Sequence, residues 1–300
     1  MIHNPFLARL GYGPEARVVI FHADDLGMCH AHNAAFADIL AVQPTACGSV
    51  MAPAPWFNEL ADLARTHLLA DIGVHTTLTS EWRTYRWGPL TTRDPASGLL
   101  DAEGCFWANV ADVHAHVDVA AAAIELRAQV ERALAAGIDV THIDTHMGAI
   151  SHPALWAIYI SLAIEFRVPA LLPRLNKEQM DRFGLSAAEG ETLLRQVDEL
   201  ERSGQLPIID HVISLYGGSA GNRLQQYQEA IAQLPPGVTH FLYHAARPGP
   251  EIEAIAPRDD WPARVADWEV FANPDFYAWL ARRDVHVIGY RLLREALRAA

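Results

Sequence analysis

Cysteine is scarce in this chain. Three residues, Cys29, Cys47 and Cys105, stand far apart in 300, odd in number and without a C-x-x-C pair. That excludes a disulfide framework and points to the reducing cytosol. Basic runs are missing as well. With a formal net charge of −13 and no stripe of Lys or Arg, the chain offers nothing to meet phosphates, so neither nucleic acid nor an anionic membrane is expected as a partner. No apolar stretch approaches the roughly 20 residues needed to span a bilayer, and residues 1–13 lack the charged-then-apolar order of a secretory signal. What remains is abundant core material, with 51% hydrophobic residues. Cytoplasmic location follows as an expectation, and a homo-oligomer stays open.

The organising stretch is Arg17-Val18-Val19-Ile20-Phe21-His22-Ala23-Asp24-Asp25-Leu26-Gly27. Val18 to Phe21 form an apolar, β-branched run, the signature of a strand buried on both faces. It ends in adjacent carboxylates, which are costly in a buried place unless something positive lies beside them. In α/β proteins the carboxyl ends of strands are where ligands and metals bind. The plainer alternative is that Asp24 or Asp25 caps the next helix. For Cys29, a small apolar filler at that helix start is the stronger reading, with a thiolate role as the other.

Strands are expected at 17–25, 48–52, 70–79, 140–146, 169–174, 208–214, 238–244 and 285–290. Helices are expected at 33–40, 56–67, 120–136, 153–166, 224–233, 273–283 and 292–298. Such alternation argues for a parallel sheet, and seven or eight units argue for a (β/α) barrel, TIM-like, whether fully closed or incomplete. Nothing divides residues 1–300 into two domains. Three insertions interrupt the pattern: 80–117, a mostly helical 176–205, and an irregular 245–270. The first carries Trp82, Tyr85, Trp87, Phe106 and Trp107. These rings either stack on a sugar or simply pack the loop onto the body.

Asp25, His75 and His146 each end an expected strand, so a barrel would bring them to one rim. One carboxylate, two imidazoles and an open position suit a catalytic divalent cation. The competing reading makes both histidines structural. Alternation places His142, Asp144 and His146 on one strand face, where Asp144 either orients a histidine or meets substrate. His244 ends the seventh strand as a general acid, an oxyanion stabiliser or a buried structural histidine.

Three ordered segments carry a resemblance. His22-Ala23-Asp24-Asp25-Leu26-Gly27, Gly73-Val74-His75-Thr76-Thr77-Leu78-Thr79 and Thr141-His142-Ile143-Asp144-Thr145-His146 resemble the signatures of the YdjC-like carbohydrate deacetylases, which include the chitooligosaccharide deacetylases. The stretch from Pro89 to Phe106 is similar to that family's long loop. The resemblance implies a (β/α) barrel and a divalent metal, zinc or magnesium first, held by Asp25, His75 and His146. It further implies Asp24 as general base, His244 as acid, and removal of an acetyl group from an N-acetylated sugar. Arg247 or Arg264 would hold Asp24 or the substrate. Departures lie around these residues: His22 replaces the family's usual Asn, Met147-Gly148 stand where a further His is usual, and His244-Ala245-Ala246-Arg247-Pro248-Gly249 replaces a compact His-Pro-Gly. Two alternatives accompany this reading: another amide or phosphate-ester hydrolase on the same rim, and a sugar-binding protein without catalysis.

Overall fold

Nine of the ten residues of β1 (Arg17–Leu26) are buried, and every strand partner it has runs parallel to it. The computed structural model describes residues 4–174, 180, 185–215 and 220–299. The other strands are β2 (Cys47–Val50), β3 (Asp71–Thr76), β4 (Ile143–Thr145), β5 (His211–Ser214), β6 (Gly237–Tyr243) and β7 (His286–Val287). They form one parallel, curled sheet in the order β4-β3-β2-β1-β6-β5, with β7 pairing β1 beside β2. Isolated parallel bridges join Ile143 to Ala170 and Pro173 to Ile209. Helices cover the outside.

Strand alternation sorts the side chains into two environments. Val19, Phe21 and Ala23 of β1, with Ile72, Val74 and Ile143, face the outer helices and belong to the main core. Val18 and Ile20 face the interior of the curl, where Cys47, Ile209, Val238, Tyr290 and Leu293 join them with Phe6 and Leu7 in a smaller apolar cluster. Helices Pro5–Arg9 and Tyr290–Arg298 supply the last four of these residues and stop the amino end of the curl. The interior is therefore apolar at one end. At the other, the same inward row continues as His22, Asp24, His75, His142, Asp144 and His240, all buried.

Several expectations need correction. The segment 245–270 is largely helical, with Pro250–Ile255 and Trp261–Phe271. Pro250 and Pro262 sit in first turns, where the missing amide costs nothing, so they start helices rather than break them. β3 stops at Thr76 and β4 spans only Ile143–Thr145. After β4, His146 opens a turn in which Met147 and Gly148 have φ of 53° and 70°. The expected strand at 169–174 contributes bridges only, and the last strand is two residues long before helix Tyr290–Arg298 begins. Of the expected helical insertion 176–205, Ala187–Ser203 is a helix with a Ser186–Glu189 capping box. Residues 176–179 and 181–184 lie outside the described residues.

The segment 80–117 holds helix Val110–His116 and is bound tightly to the body. Trp82, Trp87 and Phe106 are buried, and Trp107 stacks on His116. Tyr85 donates its hydroxyl to the Met28 carbonyl. Beneath it, the buried carboxylate of Glu125 accepts from the amides of Leu90 and Thr91 and from the Thr91 hydroxyl. For these rings, packing the loop is the role observed.

At the amino end of the sheet, Arg294 and Arg291 clamp Asp139. The Arg294 hydrogen bond leads in holding the Asp139 carboxyl at about 2. This is a depressed folded value, so the stabilisation is present in full above the unfolded value of about 4 and disappears as pH falls toward 2. The pair is partly exposed, so its worth is at most about 1 kcal/mol. Asp139→Asn is expected to lower Tm by about 2 °C at neutral pH and not at all near pH 2, read by calorimetry at both.

No helix among the described residues is long and apolar enough to cross a membrane.

Candidate metal and acid–base site

Two consecutive residues of a strand normally point to opposite faces. Asp24 and Asp25 escape that rule because the β1–β2 register shifts between Ala23 and Leu26, and Asp25 adopts φ of 64°. Asp is one of the few residues that tolerates this left-handed region. Gly27 follows at φ 80°, with Val50, Phe57 and Met51 crowding the space a side chain would need. This bulge turns both carboxylates into one site. It also disposes of the helix-cap alternative: the next helix, His30–Val42, has Cys29 at its N-cap, and Glu251 accepts from the amides of His30 and Ala31. Cys29 is buried beside His32, and burial pushes its thiol up to about 12, so it is the small filler at the helix start.

Asp25, His75 and His146 converge. Asp25 Oδ1 lies 3.1 Å from His146 Nδ1 and 3.5 Å from His75 Nε2, and the two nitrogens are 3.3 Å apart. All three residues are buried. Each is gripped from behind. His75 Nδ1 is 2.8 Å from Asp144 Oδ2, with Ser49 Oγ at 3.1 Å, so its Nε2 is aimed at Asp25. His146 Nε2 lies 3.0 Å from Glu81 Oε2, which turns Nδ1 the same way. Asp25 Oδ2 accepts from Arg264 Nη1 at 2.7 Å, while Arg264 Nε bonds Asp260. Asp25 Oδ1 meets no well-formed hydrogen bond among the described residues. Asp144 thus lies behind His75, against its Nδ1.

Asp24 stands beside this trio. Its Oδ1 is 2.6 Å from His22 Nδ1, and its Oδ2 is 3.9 Å from His244 Nε2, which is equally 3.9 Å from Asp25 Oδ2. The backbone amide of His244 is held by Asp267, which also receives Arg223 and Tyr227.

Electrostatics agree with an ion-binding cradle. Burial works to raise the Asp25 carboxyl, yet the neighbouring His146, His244, His75 and Arg264 together hold it well below the carboxylate range. Asp24 is likewise lowered, against burial, by His22, His75 and His244. Burial opposes charge on His146, but Glu81 and Asp25 raise it to about 9. His75 is raised well above its ordinary value despite burial, chiefly by Asp144. The site thus favours charge on its acids, and a cation bound there would compete with protons for the two imidazoles.

The two arginines singled out in the sequence differ in placement. Arg247 pairs with Asp38 on the surface, not with Asp24 or a site group. Arg264 does reach the site, but on Asp25 rather than Asp24. Three contributors had no signal in the residue pattern, Glu81, Ser49 and His32 (whose Nε2 is 3.0 Å from Arg264 Nη1), while Trp82 of the aromatic loop lies under the Arg264 guanidinium at 5.4 Å.

Comparison with known proteins follows the same lines. A profile of the YdjC-like protein family matches residues 18–282. The carbohydrate deacetylase of Thermus thermophilus is 34% identical over 291 residues, covering 97% of this chain and 98% of that one. The carbohydrate deacetylase of Thermoanaerobacter pseudethanolicus is 24% identical, covering 93% of this chain and 100% of its own. A crystal structure from Enterococcus faecalis V583, provisionally described as a cellobiose-phosphate cleavage protein, has a TM-score of 0.71. It covers 92% of this chain and 98% of that chain at 20% identity, which is a likeness of fold. With the profile running from β1 to beyond the helix Pro274–Leu280 and a relative matched over almost its whole length, this chain belongs to the YdjC-like protein family.

Proposed function

We propose that the chain is a metal-dependent carbohydrate deacetylase, hydrolysing the N-acetyl group of a sugar or oligosaccharide. One observation carries the reading: a buried carboxylate oxygen without a good donor, Asp25 Oδ1, sits 3.1–3.5 Å from two imidazole nitrogens that are each backed by a carboxylate. Three ligands about 2.1 Å from a tetrahedral ion are spaced about 3.4 Å from one another, so the donors fit a cation without rearrangement. Two nitrogens and one oxygen favour zinc over magnesium, which prefers oxygen donors. The names of the full-length relatives support acetyl-sugar chemistry.

A divalent cation held there supplies Lewis-acid polarisation of the acetyl carbonyl and a more acidic water. The chain does the rest. Asp24 Oδ2 takes the proton of the attacking water as its oxygen bonds to the acetyl carbon. Burial first, then Arg264, lower the His244 imidazole, so it is neutral at rest near neutral pH; it stands 3.9 Å from Asp24 Oδ2, and the two must close to hydrogen-bond distance for the proton to pass. His244 Nε2 then gives that proton to the sugar nitrogen as the C–N bond breaks, leaving acetic acid and the amine, which exchange the remaining proton to become acetate and ammonium. Arg264 keeps Asp25 ionised and limits it to one outward oxygen.

The carboxylates of Asp24, Asp25, Asp144 and Glu81 crowd one small volume, which favours a neutral amide over a phosphate dianion. The test is acetate release from a panel of N-acetylated sugars, with and without chelator. Chelation is expected to reduce release to the blank, and added zinc to restore it. Undiminished release under chelation, or phosphate release without acetate, refutes the assignment.

The bridges at Ile143–Ala170 and Pro173–Ile209 support a distorted TIM-like barrel of about seven strands, with residues 1–300 as one domain. Cys29, Cys47 and Cys105, all unbridged, support a cytoplasmic setting.

A further inference from the structure

We propose that His142 is a positioning residue for Asp24, acting through His22: a one-way hydrogen-bond chain from Thr141 to His142 to His22 holds Asp24 Oδ1 and leaves Oδ2 to take the proton. The inference rests on the reading of Asp24 as the base.

His22 and His142 are both fully buried. Their Nε2 atoms are 2.7 Å apart, a distance that needs one hydrogen between them, so one ring donates and the other accepts. His22 Nδ1 lies 2.6 Å from Asp24 Oδ1. An ionised carboxylate only accepts, so His22 Nδ1 carries a hydrogen. A neutral His22 therefore has a bare Nε2, and His142 must donate its Nε2–H. That leaves His142 Nδ1 bare, 2.9 Å from the Thr141 hydroxyl that can donate to it. Every ring nitrogen is satisfied and no further charge is buried.

The surroundings of His142 suit a neutral ring. Tyr290 stacks on it at 4.0 Å, and the nearest carboxylate oxygen on its Nδ1 side, Asp71 Oδ1, is 3.9 Å away. Burial pushes His142 well below the imidazole range. Gly73 of β3 makes room: a Cβ there would lie 2.5 Å from ring atoms of His142. The chain thus occupies the boundary between the apolar plug and the acidic site. Its effect is on orientation. With Oδ1 held from behind, the Asp24 carboxylate cannot rotate, and the other oxygen stays toward His244.

Long-range 1H–15N correlation spectra of the intact protein report which ring nitrogen carries hydrogen. Hydrogen on His22 Nδ1 and on His142 Nε2 is expected. A His142 protonated at Nδ1, or a His22 protonated at both nitrogens, overturns the proposal. His142→Phe keeps a ring over Tyr290 and deletes the donor, so kcat should fall about tenfold with KM and metal content unchanged. His142→Gln restores an N–H donor and should recover most of that loss. Unchanged kcat in His142→Phe, no recovery in His142→Gln, or KM and metal content moving together with kcat overturns it too. Should His142→Phe fail to fold, the spectra of the unmodified protein decide alone. Failure of the underlying reading is separable: Asp24→Asn would then still release acetate while both tautomers were as expected.

Discussion

Asp24→Asn is expected to keep its metal and its fold and to lose about 10²–10⁴-fold in kcat. Asparagine has the shape of aspartate, and its amide oxygen can still accept from His22 Nδ1 at the place Oδ1 now occupies. Its nitrogen then stands where Oδ2 faces His244, and an amide nitrogen takes no proton from water. The neighbours that hold the Asp24 carboxyl below its ordinary value favour its charge, so some stability at neutral pH should be lost while the fold is kept. KM should move little, because the loss is felt only as the proton is transferred. Acetate release under saturating substrate, alongside elemental analysis, is the measurement. Release near that of the unmodified protein would show that Asp24 is not the base.

His75→Ala has a different signature, with metal and turnover lost together. One of three converging donors disappears, and what remains, a carboxylate and one imidazole, is a weak chelate. A second consequence is structural. Asp144 Oδ1 has no hydrogen-bond partner among the described residues, and Asp144 Oδ2 relies on His75 Nδ1 at 2.8 Å, with His22 Nδ1 more distant at 3.9 Å. Removing the ring strands a buried carboxylate, a change that costs about 3–5 kcal/mol in comparable buried pairs. Metal stoichiometry near zero, acetate release at the blank and a clearly lower unfolding midpoint are expected. A His75→Ala protein that retained stoichiometric metal would remove His75 from the ligand set.

The contrast between the two variants is the informative part. Both abolish turnover, but only one empties the cradle, so together they separate the proton acceptor from the ion holder.

Much of this site is legible in the amino-acid sequence. A β-branched run ending in two acids identifies β1, because burial on both faces leaves a hydrophobic mark in the chain. The strand-end positions of His75 and His146 are legible for the same reason. Their convergence required only that parallel strands share one rim. The tertiary devices were not legible. The bulge that swings Asp25 onto the same side as Asp24 depends on β2 beside it, and Asp in a left-handed conformation leaves no pattern. Glu81 sits in a loop, where position predicts nothing about direction. Arg264 was recognisable as a nearby cation, but which aspartate it meets depends on how helix Trp261–Phe271 packs. That helix and Pro250–Ile255 both lie in the stretch expected to be irregular, where Pro262 and Pro250 each occupy a first turn.

The pairing of β1 with β6 has a consequence for how the molecule is made. Arg17 faces Gly237 and Ala23 faces Tyr243, so the strand bearing both acids waits for a neighbour synthesised near the other end of the polypeptide. Contacts so remote in sequence slow folding, since a long loop must close before they reward it. A nascent chain that has emerged only through His146 already contains every metal donor named above, yet lacks the mould that aims them. Catalytic competence is therefore a late event in biosynthesis, gated by β6.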